Sequence, residues 1–359
     1  MRLESLRTHY YRLPLPESGD AGHGTLTSEE LILVRVEAGG LEGLGYAYTI
    51  GRGGRAIQAL IEHDVAELLV GQAVGDPAET WARLWSSLLY VGRGGLSSFA
   101  IAAIDVALWD LKGKAVGQPL YRLLGGQSRP IPAYGSGVDL PLPLDALLRQ
   151  VERFLARGFG GVKVKVGRPD PADDEVRVAA VRRLVGDDVD LMVDANMGWT
   201  ADEAIERGRR LEAHRLRWLE EPTVPEDVAG HARIAAALET PIALGESLHS
   251  PWEFERYIDE AAVEVVQLDP ITLGGITPWW RVAQAAAARG LPLSSHYADE
   301  LSAHLLAACH WPLYLEKHAF ALDPYLEEPQ LVVDGAVRPS EQPGHGLRFS
   351  AQALAPYEG

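Results

Sequence analysis

Apolar and polar residues alternate one by one over the first 50 positions, in "ESLRTHYYRLPL", "ELILVRVEAG" and "GLGYAYT". Clusters of Gly, Pro and Asp divide these runs, so the pattern predicts an antiparallel meander. From about residue 54 to 125 the period lengthens. "RAIQALIEHDVAELLVG", "DPAETWARLWSSLLY" and "LSSFAIAAIDVALWDLKGKAV" carry apolar residues at helical spacing, and "DPAE" marks a helix start. Strands followed by a run of helices describe an α+β domain over residues 1–127.

After residue 128 short apolar strands alternate with amphipathic helices. Eight strands are predicted, at 131–136, 161–166, 190–196, 216–221, 240–247, 263–269, 291–296 and 312–318. Eight βα units are what a closed parallel barrel requires, and residues 128–322 lie near the lower end of its size range. The competing doubly wound open sheet lacks support, because no Gly-rich phosphate loop follows the first strand. The expected fold is therefore a (β/α)8-type barrel with an N-terminal α+β capping domain. Residues 323–359 read as a strand pair and loops that return to that cap.

Composition narrows the class without changing the picture. Hydrophobic content of 47% and charged content of 23% are those of an ordinary globular protein. No apolar run reaches the roughly 18 residues of a membrane span, and no signal peptide is read at the N-terminus. A single cysteine, Cys309, excludes an intramolecular disulfide and fits a reducing cytoplasm. The net charge of −17 argues against nucleic-acid or anionic-membrane partners, whose phosphates it would repel.

The candidate chemistry lies at the strand ends. Lys163, Lys165, Asp194, Glu220, Glu246, Asp269, His296 and Glu316 close successive strands, with gaps from Lys165 of 29, 26, 26, 23, 27 and 20 residues. In a barrel all of them reach the C-terminal rim, where such folds keep their active sites. One acidic residue after a strand is usually a helix cap or a solvated loop residue. Three on consecutive strands repel unless a cation lies between them, so Asp194, Glu220 and Glu246 predict a divalent ion. All-oxygen ligation favours Mg²⁺ over zinc. Glu221 is expected to point the other way. His296 pairs with Asp269, which would fix its tautomer and raise its basicity.

Only five of the 33 basic residues are lysine, and two of these stand at 163 and 165. Residues two apart on a strand share a face, so both enter the cavity while Val162, Val164 and Val166 face the outer helices. Mutual repulsion is expected to ease proton release from at least one. Arginine could not act as that base.

The order Lys-x-Lys, Asp-x-Asn, Glu-Glu-Pro, Gly-Glu, Asp, Ser-Ser-His, Glu resembles the mandelate racemase subgroup of the enolase superfamily. So do "AIDVALWDLKGK", "LMVDANMGW", "LGGIT" and "SSHYADELSAHLLAA". The related muconate lactonising branch places a second lysine near the position of Asp269, which argues against it here. The resemblance implies Mg²⁺ dependence and removal of the proton α to a carboxylate. It implies metal binding by Asp194, Glu220 and Glu246, and a substrate carboxylate met by Lys163 and a protonated Glu316. Lys165 and His296 would flank the α-carbon, with Asp269 behind His296, and Asn196 and Ser136 would touch the substrate. A homo-oligomer acting on a small-molecule carboxylate is also implied.

With bases on both faces, such a site racemises a 2-hydroxy acid, or expels a β-hydroxyl through protonated His296. The polar cap loop over residues 17–27, and Arg52, Arg55 and Arg93, favour an acid-sugar dehydratase over a racemase. A barrel that binds without catalysing is the remote alternative.

Overall fold

Three antiparallel strands open the chain, β1 (Ser5–Asp20), β2 (Thr25–Ala38) and β3 (Leu41–Thr49), side by side in that order. The computed structural model describes residues 1–20, 25–320 and 322–359, and the side chains of 16–20, 25 and 26 are also outside the description. Gly39 and Gly40 take left-handed φ values of 60° and 75°, which the two-residue hairpin between β2 and β3 needs. The helices follow as the period predicted. Asp76 caps the helix Pro77–Ser87 by accepting from Ala78 N at 2.9 Å, and Pro77 sits in the first turn where its missing N–H costs nothing.

The long helix Leu96–Val116 is buried on most of its circumference and lies on β3. Gly43 and Gly45 make this close approach possible, since a Cβ at residue 45 would run into the Ala103 carbonyl and Ala107. Gly45→Ala is therefore expected to destabilise the cap by about 3 kcal/mol or more, read as a lowered thermal midpoint.

Eight parallel strands then form the barrel: β4 (Ile131–Ser136), β5 (Gly161–Lys165), β6 (Asp190–Asp194), β7 (Leu219–Glu220), β8 (Ile242–Leu244), β9 (Val265–Leu268), β10 (Leu293–Ser295) and β11 (Pro312–His318). Each pairs with the next, and β11 pairs back onto β4 to close the ring. A short β12 (Ala336–Val337) adds antiparallel to the start of β4. The expected barrel and cap are both present. Several strands are shorter than the apolar runs that announced them, β7 most of all, and it loses residues chiefly at its N-terminal end.

Apolar packing fills two spaces. The valines of β5 and their counterparts face the surrounding helices, while Tyr134, Met192, Trp218, Ala243 and Val265 form a separate buried cluster. These residues belong to barrel strands or, for Trp218, the position before β7, so the polar rim rests on an apolar floor.

Cap and barrel are tied by specific bonds. Asp105 of the long cap helix accepts from Thr277 Oγ1 at 2.6 Å and Thr277 N at 2.8 Å. Trp81 Nε1 donates to Gly274 O at 2.9 Å, and Ser98 Oγ to His249 O at 2.6 Å. From residues 323–359, isolated bridges join Gly344 to Pro119 and Glu358 to Tyr11. Among the described residues no helix is long and apolar enough to cross a membrane.

Candidate active site

The strand-end charges meet at one rim. Asp194, Glu220 and Glu246 each offer a carboxylate oxygen, and these atoms all lie within 4.8 Å of one another. Lys163 Nζ stands 2.5 Å from Glu220 Oε1, 2.9 Å from Glu316 Oε1 and 3.6 Å from Asp194 Oδ2. Lys165 Nζ stands 2.5 Å from Asp194 Oδ2. Both lysines are buried, as their shared strand face requires. Glu220 is gripped from below as well. Its Oε2 accepts from Trp218 Nε1 at 2.9 Å and Gln267 Nε2 at 2.8 Å.

These charges correct one expectation. Burial disfavours both ammonium groups, but the carboxylates outweigh it. Glu220 and Glu316 drive the Lys163 pKa well above its ordinary value, and Asp194 raises that of Lys165. Repulsion between the lysines is the smaller effect, and at Lys165 it ranks below the attraction of Asp194. Glu316 gives a second correction. Burial alone would favour its neutral form, yet Lys163 and His296 hold its carboxyl well below the usual range, so here it is a carboxylate and not the protonated acid expected.

His296 forms the expected dyad, its Nδ1 lying 2.8 Å from Asp269 Oδ2, while its Nε2 lies 3.2 Å from Glu246 Oε2. Burial lowers its pKa, but Glu246 and the Asp269 bond raise it on balance to about 10. Asp269 is itself anchored, its Oδ1 accepting from Ile271 N at 2.7 Å and from Thr272 N at 3.3 Å. Its Oδ2 also accepts from Tyr48 of the cap strand β3. Alternation in "GLGYAYT" places Tyr46 and Tyr48 on one face, but nothing in the sequence says that this face meets the barrel.

The site encloses a cavity of about 80 Å³ lined by Lys165, Asn196, Glu246 and His296 from the expected set. Tyr48, Tyr297, His318 and Glu29 join them, together with apolar Leu15, Ile50, Val138 and Phe320. Ser136 is fully buried at the end of β4, its hydroxyl without a partner, and is not among the cavity-lining residues.

Glu221 does not turn away. β7 ends at Glu220, and Glu221 takes φ 40° and is buried. Burial first, then the nearby Glu246 and Asp194 charges, push its pKa well up. Asn196, Met197, Tyr297 and Ala298 also have positive φ. Left-handed non-glycine residues are costly and gather at functional rims, which is where these five lie.

The cap arginines depart from expectation too. Arg52, Arg55 and Arg93 are exposed, and none lines the cavity. Arg55 lies 4.1 Å over the Tyr10 ring and Arg93 5.1 Å over Trp85, so aromatic faces hold them at the surface. The cap loop expected over 17–27 falls mostly outside the described residues.

Residues 15–125 match the family model of the mandelate racemase / muconate lactonizing enzyme N-terminal domain, and residues 146–353 that of the enolase C-terminal domain-like family. The chain belongs to the mandelate racemase subgroup of the enolase superfamily. Superfamily relatives include the 3,6-anhydro-α-L-galactonate cycloisomerase of Streptomyces coelicolor, 42% identical over 98% of each chain. The L-talarate/galactarate dehydratase of Salmonella typhimurium is 40% identical over 91% of this chain and 82% of that protein. Among solved structures, a racemase from Streptomyces coelicolor A3(2) with bound magnesium superposes with a TM-score of 0.97 at 41% identity, over 99% of this chain and 100% of that one. The L-talarate dehydratase of Polaromonas sp. JS666, complexed with Mg and L-glucarate, gives 0.94 at 37%, over 100% and 97%.

The donor set fits this superfamily's metal. Three carboxylates on adjacent strands, with no sulfur or imidazole among them, form an all-oxygen site suited to one Mg²⁺, which is the cofactor. A second acidic group, Asp299, Glu300 and Asp323, lies away from the cavity and is paired by Lys317, 2.5 Å from Asp299 and 2.8 Å from Asp323.

Proposed function

We propose that this enzyme removes the proton α to the carboxylate of an acid sugar and expels the oxygen on the β-carbon, giving a 2-keto-3-deoxy acid. The observation that carries this reading is one cavity with Lys165 and the Asp269-supported His296 both on its wall, beside the three-carboxylate site. Bound by Asp194, Glu220 and Glu246, Mg²⁺ supplies positive charge that neutralises those carboxylates and polarises the substrate's own. Lys163 is the fixed cation for the substrate carboxylate, opposite Glu316. Lys165 and His296 stand to take or return the α-proton, and Asn196 lies at the cavity wall for a substrate hydroxyl.

The leaving oxygen is either a free hydroxyl, making the reaction a dehydration, or a ring ether, making it a cycloisomerisation. The second form is favoured by the 42% identity to an anhydro-sugar-acid cycloisomerase and by the lack of arginine among the described cavity residues. A second carboxylate has no arginine to meet it there, so a monocarboxylic acid sugar is preferred over a diacid. The apolar Leu15, Ile50 and Phe320 suit a compact distal part.

A panel of aldonates, anhydro-aldonates, aldarates and mandelate, assayed with Mg²⁺ by semicarbazide for 2-keto products and by polarimetry, tests the reading. We expect keto product from an acid sugar, reduced by about 10²- to 10⁴-fold in His296→Asn. Inversion of mandelate without keto product would place the chain with the racemases instead. An α-proton that never exchanges with D₂O in any of these acids would end the mechanism altogether.

A further inference from the structure

Elimination requires a proton for the departing oxygen, and the capping strand β2 carries a group suited to give it. Glu29 is buried, lines the cavity that Lys165 and His296 share, and has one oxygen with no hydrogen-bond partner. Its other oxygen, Oε2, accepts from Tyr297 OH at 2.9 Å, which fixes the carboxyl in place. Leaving an oxygen of a buried carboxyl unsatisfied is unfavourable. Such a residue at the edge of a reaction cavity asks for a ligand.

We propose that Glu29 is the catalytic acid that protonates the oxygen leaving the β-carbon; this rests on the β-elimination reading above. Geometry separates it from His296. Both imidazole nitrogens already face carboxylates, Nδ1 on Asp269 and Nε2 on Glu246 of the metal site. A substrate whose carboxylate lies at that site presents its α-carbon to Lys165 and His296, and its chain extends toward the cap, where Glu29 stands. Glu29 also lines an adjoining pocket of about 230 Å³ with Leu13, Pro14, Phe320 and Tyr325, so the carboxyl sits where the cavity continues outward. Tyr297 contacts it directly, and Tyr48, His296, His318 and Lys165 line the same cavity. Burial lifts the carboxyl pKa to about 8 against the opposing Tyr297 bond, which keeps the acid protonated near neutrality.

The step balances without a co-reactant. In its neutral form Lys165 takes the α-proton, and the electron pair is held as the enediolate. As the carboxylate re-forms, that pair makes the double bond between the α- and β-carbons. The bond from the β-carbon to oxygen breaks, and its electrons take the Glu29 proton. The enol then loses its oxygen-bound proton and gains one at the β-carbon. The protons on Lys165 and the enol thus match the two needed by the β-carbon and by Glu29. A hydroxyl departs as water; a ring ether stays on the product as a hydroxyl.

The test compares wild type, Glu29→Gln and Glu29→Asp, all loaded with Mg²⁺, on the acid sugar that the panel identifies. Gln keeps the size and can accept the Tyr297 bond but holds no acidic proton. We expect α-proton exchange with D₂O to stay within about threefold in Glu29→Gln while keto-acid formation falls by at least about 100-fold. A 3-fluoro-3-deoxy analogue, whose fluoride leaves without a proton, should restore elimination in that variant. Glu29→Asp, still an acid, should keep elimination within about tenfold of wild type. The proposal is overturned if Glu29→Gln eliminates at the wild-type rate, if exchange and elimination fall in parallel, or if Glu29→Asp is as slow as Glu29→Gln. Wild type that exchanges the α-proton but yields keto acid from no acid sugar defeats the β-elimination reading, and this proposal with it. Wild type and Glu29→Gln eliminating alike defeats the Glu29 assignment alone.

Discussion

Replacing Lys165 by arginine should lower kcat by about 10³-fold while leaving magnesium binding intact, because a guanidinium keeps the charge facing Asp194 but cannot accept a proton. The informative readout is isotopic. In D₂O, the substrate epimer whose α-hydrogen faces Lys165 should cease to exchange, and the epimer facing His296 should still do so. Lys163→Arg should behave differently. Lys163 is fully enclosed by Glu220, Glu316 and Asp194, so the longer side chain strains the site. Overpacking of this kind costs about 1–3 kcal/mol, and KM should rise, but exchange should survive on both faces. Retention of exchange on both epimers in Lys165→Arg would remove that lysine from the base role.

The second large effect concerns the metal. EDTA should abolish turnover, and added Mg²⁺ should restore it. The same ion should stabilise the fold, since Asp194 and Glu220 are fully buried carboxylates whose repulsion it relieves. At a free concentration 100 times the Kd, binding to the native state alone contributes about 2.7 kcal/mol, visible as a raised thermal midpoint. Glu220→Gln should remove most of this shift. It also leaves Lys163 without one of its closest partners, so the variant is expected to lose about 3–5 kcal/mol even without the ion, the cost of breaking a buried pair from one side. A wild-type midpoint indifferent to Mg²⁺ would contradict the assignment of these three carboxylates.

Much of this was legible in the chain because a barrel turns sequence spacing into spatial neighbourhood. Gaps of 20–29 residues between charged strand ends have a simple meaning once eight strands close, and Lys163, Lys165, Asp194, Glu220, Glu246, Asp269, His296 and Glu316 all meet as that spacing implied. The scarcity of lysine was also informative in a way that spacing was not. Lys317 is another buried one, and it neutralises Asp299 and Asp323.

What strand alternation could not reveal was any residue placed by a turn or by the other domain. Glu221 was misdirected because a period of two holds only while the strand lasts, and the strand ends one residue earlier. Tyr48 and Glu29 sit in a sheet whose pattern records which side is covered, not what covers it. The cap arginines read as substrate ligands by charge alone, whereas Tyr10 and Trp85 hold two of them outside. Protonation states were the hardest to foresee. They follow from the sum of many short distances, and the sign for both lysines was set by the surrounding carboxylates.

The bond from Tyr48 to Asp269 carries an implication for how such proteins can be recombined. The oxygen it reaches is the same one that orients the His296 ring, so a side chain contributed by one half of the molecule sets the direction of a nitrogen in the other. Cap and barrel are therefore not interchangeable parts. A chimera that grafts this barrel beneath a foreign cap would inherit every strand-end charge and still lack one of the hands that steadies the imidazole. Choosing a donor cap with a phenol at the equivalent point of its third strand is the minimal rule for building one that works.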